Sequence, residues 1–103
     1  MTQENSWYAT DRKDNAIATA SKVAEPFSNN VITAIHAAFS GTKNGTLDIK
    51  EGTTTKITLD VVNSLDLDNL NLEFAEGKAI SAVLSASGTS GTYGSILLNG
   101  YVK

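Results

Sequence analysis

Apolar and polar side chains alternate along much of the chain, and this alternation predicts β-strands. It is clearest in residues 56–61, where isoleucine, leucine and valine take every second position between lysine, threonine and aspartate. A period of two is the pattern of a strand that buries one face and exposes the other. Similar alternation recurs in residues 47–50, 70–74 and 80–86.

Turn signals separate these segments at intervals of about ten residues. Asn44-Gly45 is typical of a type I′ hairpin turn, because both residue types tolerate a positive φ. Glu51-Gly52 and residues 76–78 predict further turns, and a change of apolar face at residues 66–69 requires a turn or a bulge. A last strand, residues 95–102, carries an apolar run typical of a central position. We therefore expect a mostly-β fold, a small antiparallel β-sandwich or barrel of the jelly-roll kind.

Residues 31–39 fit two periods. Ile32, Ile35 and Phe39 would share one face of a helix, whereas the odd-numbered residues would share one face of a strand. The β-branched start, Val31-Ile32, favours a strand that is buried on both sides. A helix remains the alternative.

The N-terminal third is mostly polar and shows no clear period. We expect residues 1–30 to form an extended arm and residues 31–103 to form the β-domain. Within the arm, the alanine-rich residues 16–25 fit either a short helix, which Pro26 would end, or a loose strand. Trp7-Tyr8 is the one large aromatic pair on this arm.

Two segments are candidate binding sites. Trp7 and Tyr8 have the character of interface anchors, although they would equally suit an arm that folds back over the core. The glycine-rich loop 88–94 lacks the Gly-Lys-Ser/Thr ending of a phosphate-binding loop, so we interpret it as a flexible connection. Loops of this kind also serve as contact sites, and the residues offered for contact would be Thr89, Ser90, Thr92 and Tyr93.

The size and charge of the chain limit the classes of function that the sequence allows. A chain of 103 residues is one domain, with a formal net charge of -3 and a pI of about 4.9. Its eight basic residues are scattered, which disfavours nucleic acids and anionic membranes as partners. There is no cysteine, no run of about 18 apolar residues, and no basic, apolar start of the kind that a secretion signal has.

The residues that support catalysis or metal binding are few. His36 is the only histidine and lies in an apolar segment, so a packed strand histidine is the better interpretation than a general base. Residues 66–71 offer several oxygen ligands for calcium. However, Asn71 and Gly77 stand where a helix–loop–helix calcium loop needs glycine and glutamate. We expect a solvated turn there, no metal or other cofactor, and no enzymatic activity.

The plan of the chain resembles that of small virion proteins of tailed bacteriophages, of the capsid decoration or cement type. The shared features are the polar arm with Trp7 and Tyr8 and the cysteine-free, Gly/Thr/Ser-rich β-segments, such as residues 52–61 and 94–101. The resemblance implies a homo-oligomer, often a trimer, that is seated on the major capsid protein and links neighbouring shell subunits. It also implies a place in the virion, after assembly in the host cytoplasm.

The alternative function is a carbohydrate- or receptor-binding β-module of a tail fibre or adhesin. Such sites stack sugar rings on exposed aromatic side chains. Beyond the arm, the sequence offers Tyr93 and Tyr101 for this purpose. A row of aromatic side chains on one surface would favour this alternative over a structural protein.

Overall fold

A computed structural model describes residues 6–103, and these residues form an antiparallel β-sandwich without helices, as the alternating pattern predicts. No helix that could cross a membrane occurs in this range. The strands are β1 (Ser6–Asp14), β2 (Ala18–Lys22), β3 (Asn30–Phe39), β4 (Asn44–Glu51), β5 (Thr54–Val62), β6 (Ser64–Leu67), β7 (Leu72–Glu73), β8 (Ile80–Leu84) and β9 (Tyr93–Val102).

The strands are hydrogen-bonded in the order β1-β9-β3-β6-β5-β4-β8-β2, and β7 adds to β3. Strands β5 and β6 are joined by a single residue pair, Val62 opposite Ser64. Asn63 between them has a φ of 65°, a left-handed conformation that asparagine tolerates. The path folds over at this point. Strands β1, β9, β3 and β6 form the first layer, and β5, β4, β8 and β2 form the second.

The hydrophobic core lies between the two layers. Ile35 and Leu98 reach it from the first layer, and Leu47 and Leu84 reach it from the second; all four are completely buried. Alternate residues of each strand face the core, as a period of two requires. Both layers therefore bury one face and leave the other open to solvent.

Residues 31–39 are the strand β3, so the preference for strand over helix is confirmed. The hairpin expected at Asn44-Gly45 is wrong, because both residues lie inside β4. Gly45 is needed there for close packing: an added β-carbon would collide with the ring of Phe39 and the hydroxyl of Ser85. The turn at Glu51-Gly52 is confirmed, and Gly52 has the positive φ, 62°, that such a turn uses.

The N-terminal third is part of the sandwich. Strand β1 is extended, as expected of the arm, but it pairs with β9 along its whole length, from Ser6 to Asp14. The helical option for residues 16–25 is wrong, since β2 pairs with β8. Ala18 and Ala20 are buried at alternate positions, and this period of two places both methyl groups in the core. Residues 1–5 of the expected arm lie outside the described residues.

Candidate functional site

The solvent-exposed side of the first layer carries aromatic and hydrogen-bonding side chains from four strands. We call it the outer face. Strand alternation places its members on the side opposite the core. They include Tyr8, Thr10, Arg12 and Asp14 of β1, Tyr93, Ser95, Leu97, Asn99 and Tyr101 of β9, Ala34, His36 and Ala38 of β3, and Ser64 and Asp66 of β6.

The strand register assembles this face from distant parts of the chain. Thr10 lies opposite Leu97, Leu97 lies opposite His36, and His36 lies opposite Asp66. These four residues form one row across the layer. Because directly opposite side chains lie about 5 Å apart, each contacts its neighbours in the row.

Aromatic side chains stand toward both ends of the outer face. Tyr8 is 72% exposed, and Tyr93 is 36% exposed. Tyr8 pairs with Asn99, so the two tyrosines are separated by six positions along β9, or about 20 Å. The guanidinium of Arg12 lies 4.3 Å from the centre of the Tyr93 ring. Tyr101, which is half-buried, adds a third ring near Tyr8.

A shallow cavity of about 210 Å³ lies in the middle of the outer face. Small residues, Ala38 and Ser95, form part of its lining, whereas His36 and the partly exposed Leu97 are its larger members. The change from large to small side chains leaves a depression in an otherwise even sheet surface. A flat ring placed here would contact apolar carbon and polar edges together.

His36 is held between two carboxylates. Its Nδ1 atom lies 2.8 Å from Oδ1 of Asp66, and its Nε2 atom lies 3.4 Å from Oδ1 of Asp68. The histidine side chain is about one-third exposed, and both carboxylates are about two-thirds exposed. Each carboxylate therefore keeps lone pairs that can accept hydrogen bonds from a ligand. Both ring nitrogens face carboxylates, so neither is directed at a hydroxyl nucleophile.

The segment expected as a solvated turn, residues 66–71, begins with the last two residues of β6, and only residues 68–71 connect β6 to β7. Asn69 has a φ of 59°, and the N–H of Leu70 donates to the carbonyl of Thr33. Asp66 and Asp68 contact different nitrogens of one imidazole, so the His36 ring lies between the two carboxylates. In residues 6–103, no group of three or more histidine, cysteine or acidic side chains has an arrangement that could hold a metal ion.

The structure separates the two aromatic residues that were expected to act together. Trp7 points to the core side of β1 and lies against Gly100, where an added β-carbon would meet its ring. Tyr8, the next residue, points to the outer face. Consecutive strand residues face opposite sides, so one residue contributes to packing and the other is available for binding.

The glycine-rich loop is attached to the domain by hydrogen bonds. The hydroxyl of Ser87 lies 2.8 Å from the carbonyl oxygen of Thr92 and accepts from the N–H of Thr89. The N–H of Gly91 donates to the carboxylate of Asp14. Of the four expected contact residues, Tyr93 joins the outer face. Thr89, Ser90 and Thr92 lie at the end of the sandwich.

One exposed aromatic residue was not identified from the sequence. Phe27 is 91% exposed and has a φ of 60°, a combination that is unfavourable for a bulky side chain. Its neighbours Glu25 and Ser28 line a second cavity of about 450 Å³. Trp7 also lines this cavity, and its Nε1 atom is buried with no hydrogen-bond partner among the described residues.

No protein-family model matches this sequence, and a search of curated proteins gave no match. Solved structures with a similar fold do exist. One is the CBM36-1 domain of a multidomain xylanase from the hindgut metagenome of Trinervitermes trinervoides. It has a TM-score of 0.50 and 10% sequence identity over 91% of this chain and 75% of that chain.

A second similar structure is the carbohydrate-binding module CBM36 in complex with calcium and xylotriose. Its TM-score is 0.43, with 14% identity over 91% of this chain and 78% of that chain. At such low identity a structural likeness extends to the fold alone. The first of the two structures supports the β-sandwich that the strand pairings define.

Proposed function

We propose that this chain is a carbohydrate-binding β-module and that the outer face is its site. One observation carries the proposal: Tyr8, Tyr93 and Tyr101 share a single open sheet surface with hydrogen-bonding side chains. A row of surface aromatics was the feature that would favour this function, and three tyrosines on one surface, two exposed and one half-buried, support it in part. The β-sandwich fold is also that of the xylanase domain described above, which is named as a carbohydrate-binding module.

The chemistry of the outer face suits a neutral sugar chain. A pyranose ring presents C–H groups on its faces and hydroxyls at its rim. Exposed tyrosine rings offer flat apolar surfaces to the C–H groups. His36, Asp66 and Asn99 offer donors and acceptors to the hydroxyls. The face mixes one arginine with carboxylates, so it has no strong charge of one sign to attract an ion. A strip of about 20 Å between Tyr8 and Tyr93 is long enough for several sugar units.

The proposal is tested by affinity electrophoresis, in which soluble xylan, glucan, mannan and galactan are each cast into native gels. The wild-type chain is expected to be retarded by at least one of them. Tyr8→Ala removes the most exposed ring of the face and is expected to weaken binding about fivefold, which corresponds to about 1 kcal/mol. Tyr8→Phe keeps the ring and is expected to stay close to wild type.

Phe27→Ala is the matched control, because it removes an exposed aromatic ring that is not part of the outer face. It is expected to leave retardation unchanged. Unretarded migration of the wild-type chain in every gel would reject the proposal. Equal loss of binding in the Tyr8 and Phe27 variants would place the site elsewhere.

The resemblance to virion decoration proteins stays a prediction. The trimer, the capsid partner and the virion location that it implies depend on the plan of the sequence, and no strand pairing or surface described above bears on them. Absence of enzymatic activity is likewise part of the proposal, because a module of this kind binds its ligand without changing it.

A further inference from the structure

Strand β5 has a long open edge. It pairs with β4 from Thr54 to Val62, with a bulge at which Lys56 has no partner on β4, but on its other side it meets only Ser64 of β6, at Val62. The backbone groups of residues 54–61 on that side have no strand neighbour among the described residues. An open edge of this length is a template for pairing with another strand.

The other outer strands of the sandwich are less open. Strands β1 and β2 are the two ends of the hydrogen-bonded order, and the carboxylate of Asp11 on β1 accepts a hydrogen bond from the N–H of Thr19 on β2. The two edges therefore lie beside each other, although no backbone pairing between them occurs among the described residues. Strand β7 has only two residues and offers little to pair with. Within residues 6–103, β5 is thus a long strand whose edge has neither a paired strand nor a neighbouring edge beside it over residues 54–61.

The side chains of β5 are complementary to themselves. Its central residues read Lys56, Ile57, Thr58, Leu59, Asp60. When two copies run antiparallel about Thr58, Lys56 of each copy lies opposite Asp60 of the other. Ile57 then lies opposite Leu59 in the same way. Opposite charges and paired apolar side chains are the cross-strand neighbours that stabilise an antiparallel sheet.

Exposure along β5 agrees with this pairing. Lys56, Thr58 and Asp60 are all exposed. Thr58 and Asp60 share the outer side of the strand, and Lys56 lies at the bulge, with its ammonium 3.8 Å from a carboxylate oxygen of Glu51. Ile57 and Leu59 are only half-buried, although both pack against the core. A second β5 strand at this edge would cover the part of both apolar side chains that still contacts water.

We propose that two copies of this chain associate through their β5 edges, in an antiparallel register centred on Thr58, to form one continuous sheet across a two-fold axis. The contact is self-complementary and closes after two copies. The charges also select the register: a parallel arrangement would place Lys56 beside Lys56 and Asp60 beside Asp60. The proposal is independent of sugar binding, because β5 belongs to the second layer and the outer face to the first.

The test measures solution mass by analytical ultracentrifugation at chain concentrations up to about 1 mM, where even weak association is visible. Wild type is expected to reach twice the 10.8 kDa of one chain. Lys56→Asp and Asp60→Lys each place like charges opposite one another in both halves of the contact. Each variant alone is expected to be monomeric where wild type is dimeric.

An equimolar mixture of the two variants tests whether residues 56 and 60 of opposite copies are neighbours. In the mixed pair, every aspartate of the first variant lies opposite a lysine of the second, so the dimer is expected to return. Recovery on mixing also shows that each variant is folded. Lys78→Asp and Glu76→Lys make the same charge changes at exposed positions away from β5, and they are expected to dimerise as wild type does.

Two results would overturn the proposal. The first is a monomeric wild-type chain at every concentration. The second is a mixture of Lys56→Asp and Asp60→Lys that stays monomeric while circular dichroism shows both variants to be folded.

Discussion

Oδ1 of Asp66 lies 2.8 Å from Nδ1 of His36, and the two residues are direct cross-strand neighbours on β6 and β3. The pair lies at one end of the row that begins with Thr10 on β1. Its position fixes the imidazole on the outer face, beside the shallow cavity. A surface pair of this kind contributes little to folding but sets which polar atoms a ligand meets.

Asp66→Asn separates these two roles. The amide keeps the shape of the side chain but loses its charge, so the free energy of unfolding is expected to change by less than about 1 kcal/mol. Polysaccharide binding is expected to weaken, because His36 loses its charged partner and the face loses a carboxylate acceptor. Thermal unfolding and affinity electrophoresis measure the two effects. Glu76→Gln, which neutralises an exposed acid away from the face, is the control. Unchanged binding would exclude Asp66 from the site.

Gly100 is expected to tolerate no side chain. A β-carbon at this position would collide with the carbonyl oxygen of Val31 and the ring of Trp7. Gly100→Ala should therefore destabilise the fold by about 1–3 kcal/mol and lower Tm by at least about 5 °C. Gly41→Ala is the control, since its β-carbon would lie 3.5 Å from Thr92, an ordinary contact. Equal Tm values for the two variants would contradict the packing of Trp7 on β9.

The backbone at Phe27 predicts a difference between two small replacements. A φ of 60° costs most residues about 1–2 kcal/mol, whereas asparagine tolerates it. Phe27→Asn and Phe27→Ala both remove the exposed ring, so they differ mainly in this conformational cost. The asparagine variant is expected to be more stable by roughly 0.5–1 kcal/mol, as measured by thermal or urea unfolding. A more stable alanine variant would contradict the left-handed conformation.

Asp11 links stability to pH. The hydrogen bond from the Lys13 ammonium, and next the one from the Thr19 N–H, lower the pKa of this carboxyl below its ordinary 3.8. A pKa lowered by folding adds stability that is present above the unfolded value and is lost as the pH falls through the folded value. Asp11→Asn should therefore have a lower Tm than wild type from neutral pH down to about pH 4.

Below about pH 4 the two Tm values should converge, because wild-type Asp11 becomes protonated and loses its advantage. Glu76→Gln, which neutralises an exposed carboxyl, is the control. Its Tm should match that of wild type both at neutral pH and in acid. A difference in Tm between wild type and Asp11→Asn that grows as the pH falls would contradict the hydrogen bond from Thr19 of β2 to Asp11 of β1.

The sequence predicts strands in both layers, such as β3 and β9 in the first and β5 in the second, but it does not predict β1. Strand β5 alternates from Lys56 to Val61, so its period is plain. In β1 only Trp7 and Ala9 show the apolar pattern of the buried side, which is too short a pattern to recognise. Its partner, β9, is the last strand of the chain, so no local signal indicates their pairing.

The outer face could not be predicted for the same reason. Tyr8, His36 and Asp66 are far apart in the sequence, and only the strand register places them on one surface. Alternation predicts that each is exposed or half-exposed, but it does not predict which strands are neighbours. Tyr93 and Tyr101 were recognised as available aromatics, and the structure places both on this face. The left-handed backbone of Phe27 has no sequence signal, because phenylalanine rarely adopts it.

The most direct test of carbohydrate binding is a two-dimensional amide NMR titration with the oligosaccharides of the four polysaccharides. The account predicts shifts that increase with ligand concentration and are confined to β1, β9, β3 and β6, with the largest changes near Tyr8, Leu97 and His36. The absence of shifts with every oligosaccharide would contradict the account. So would shifts centred on β5 or on the segment around Phe27.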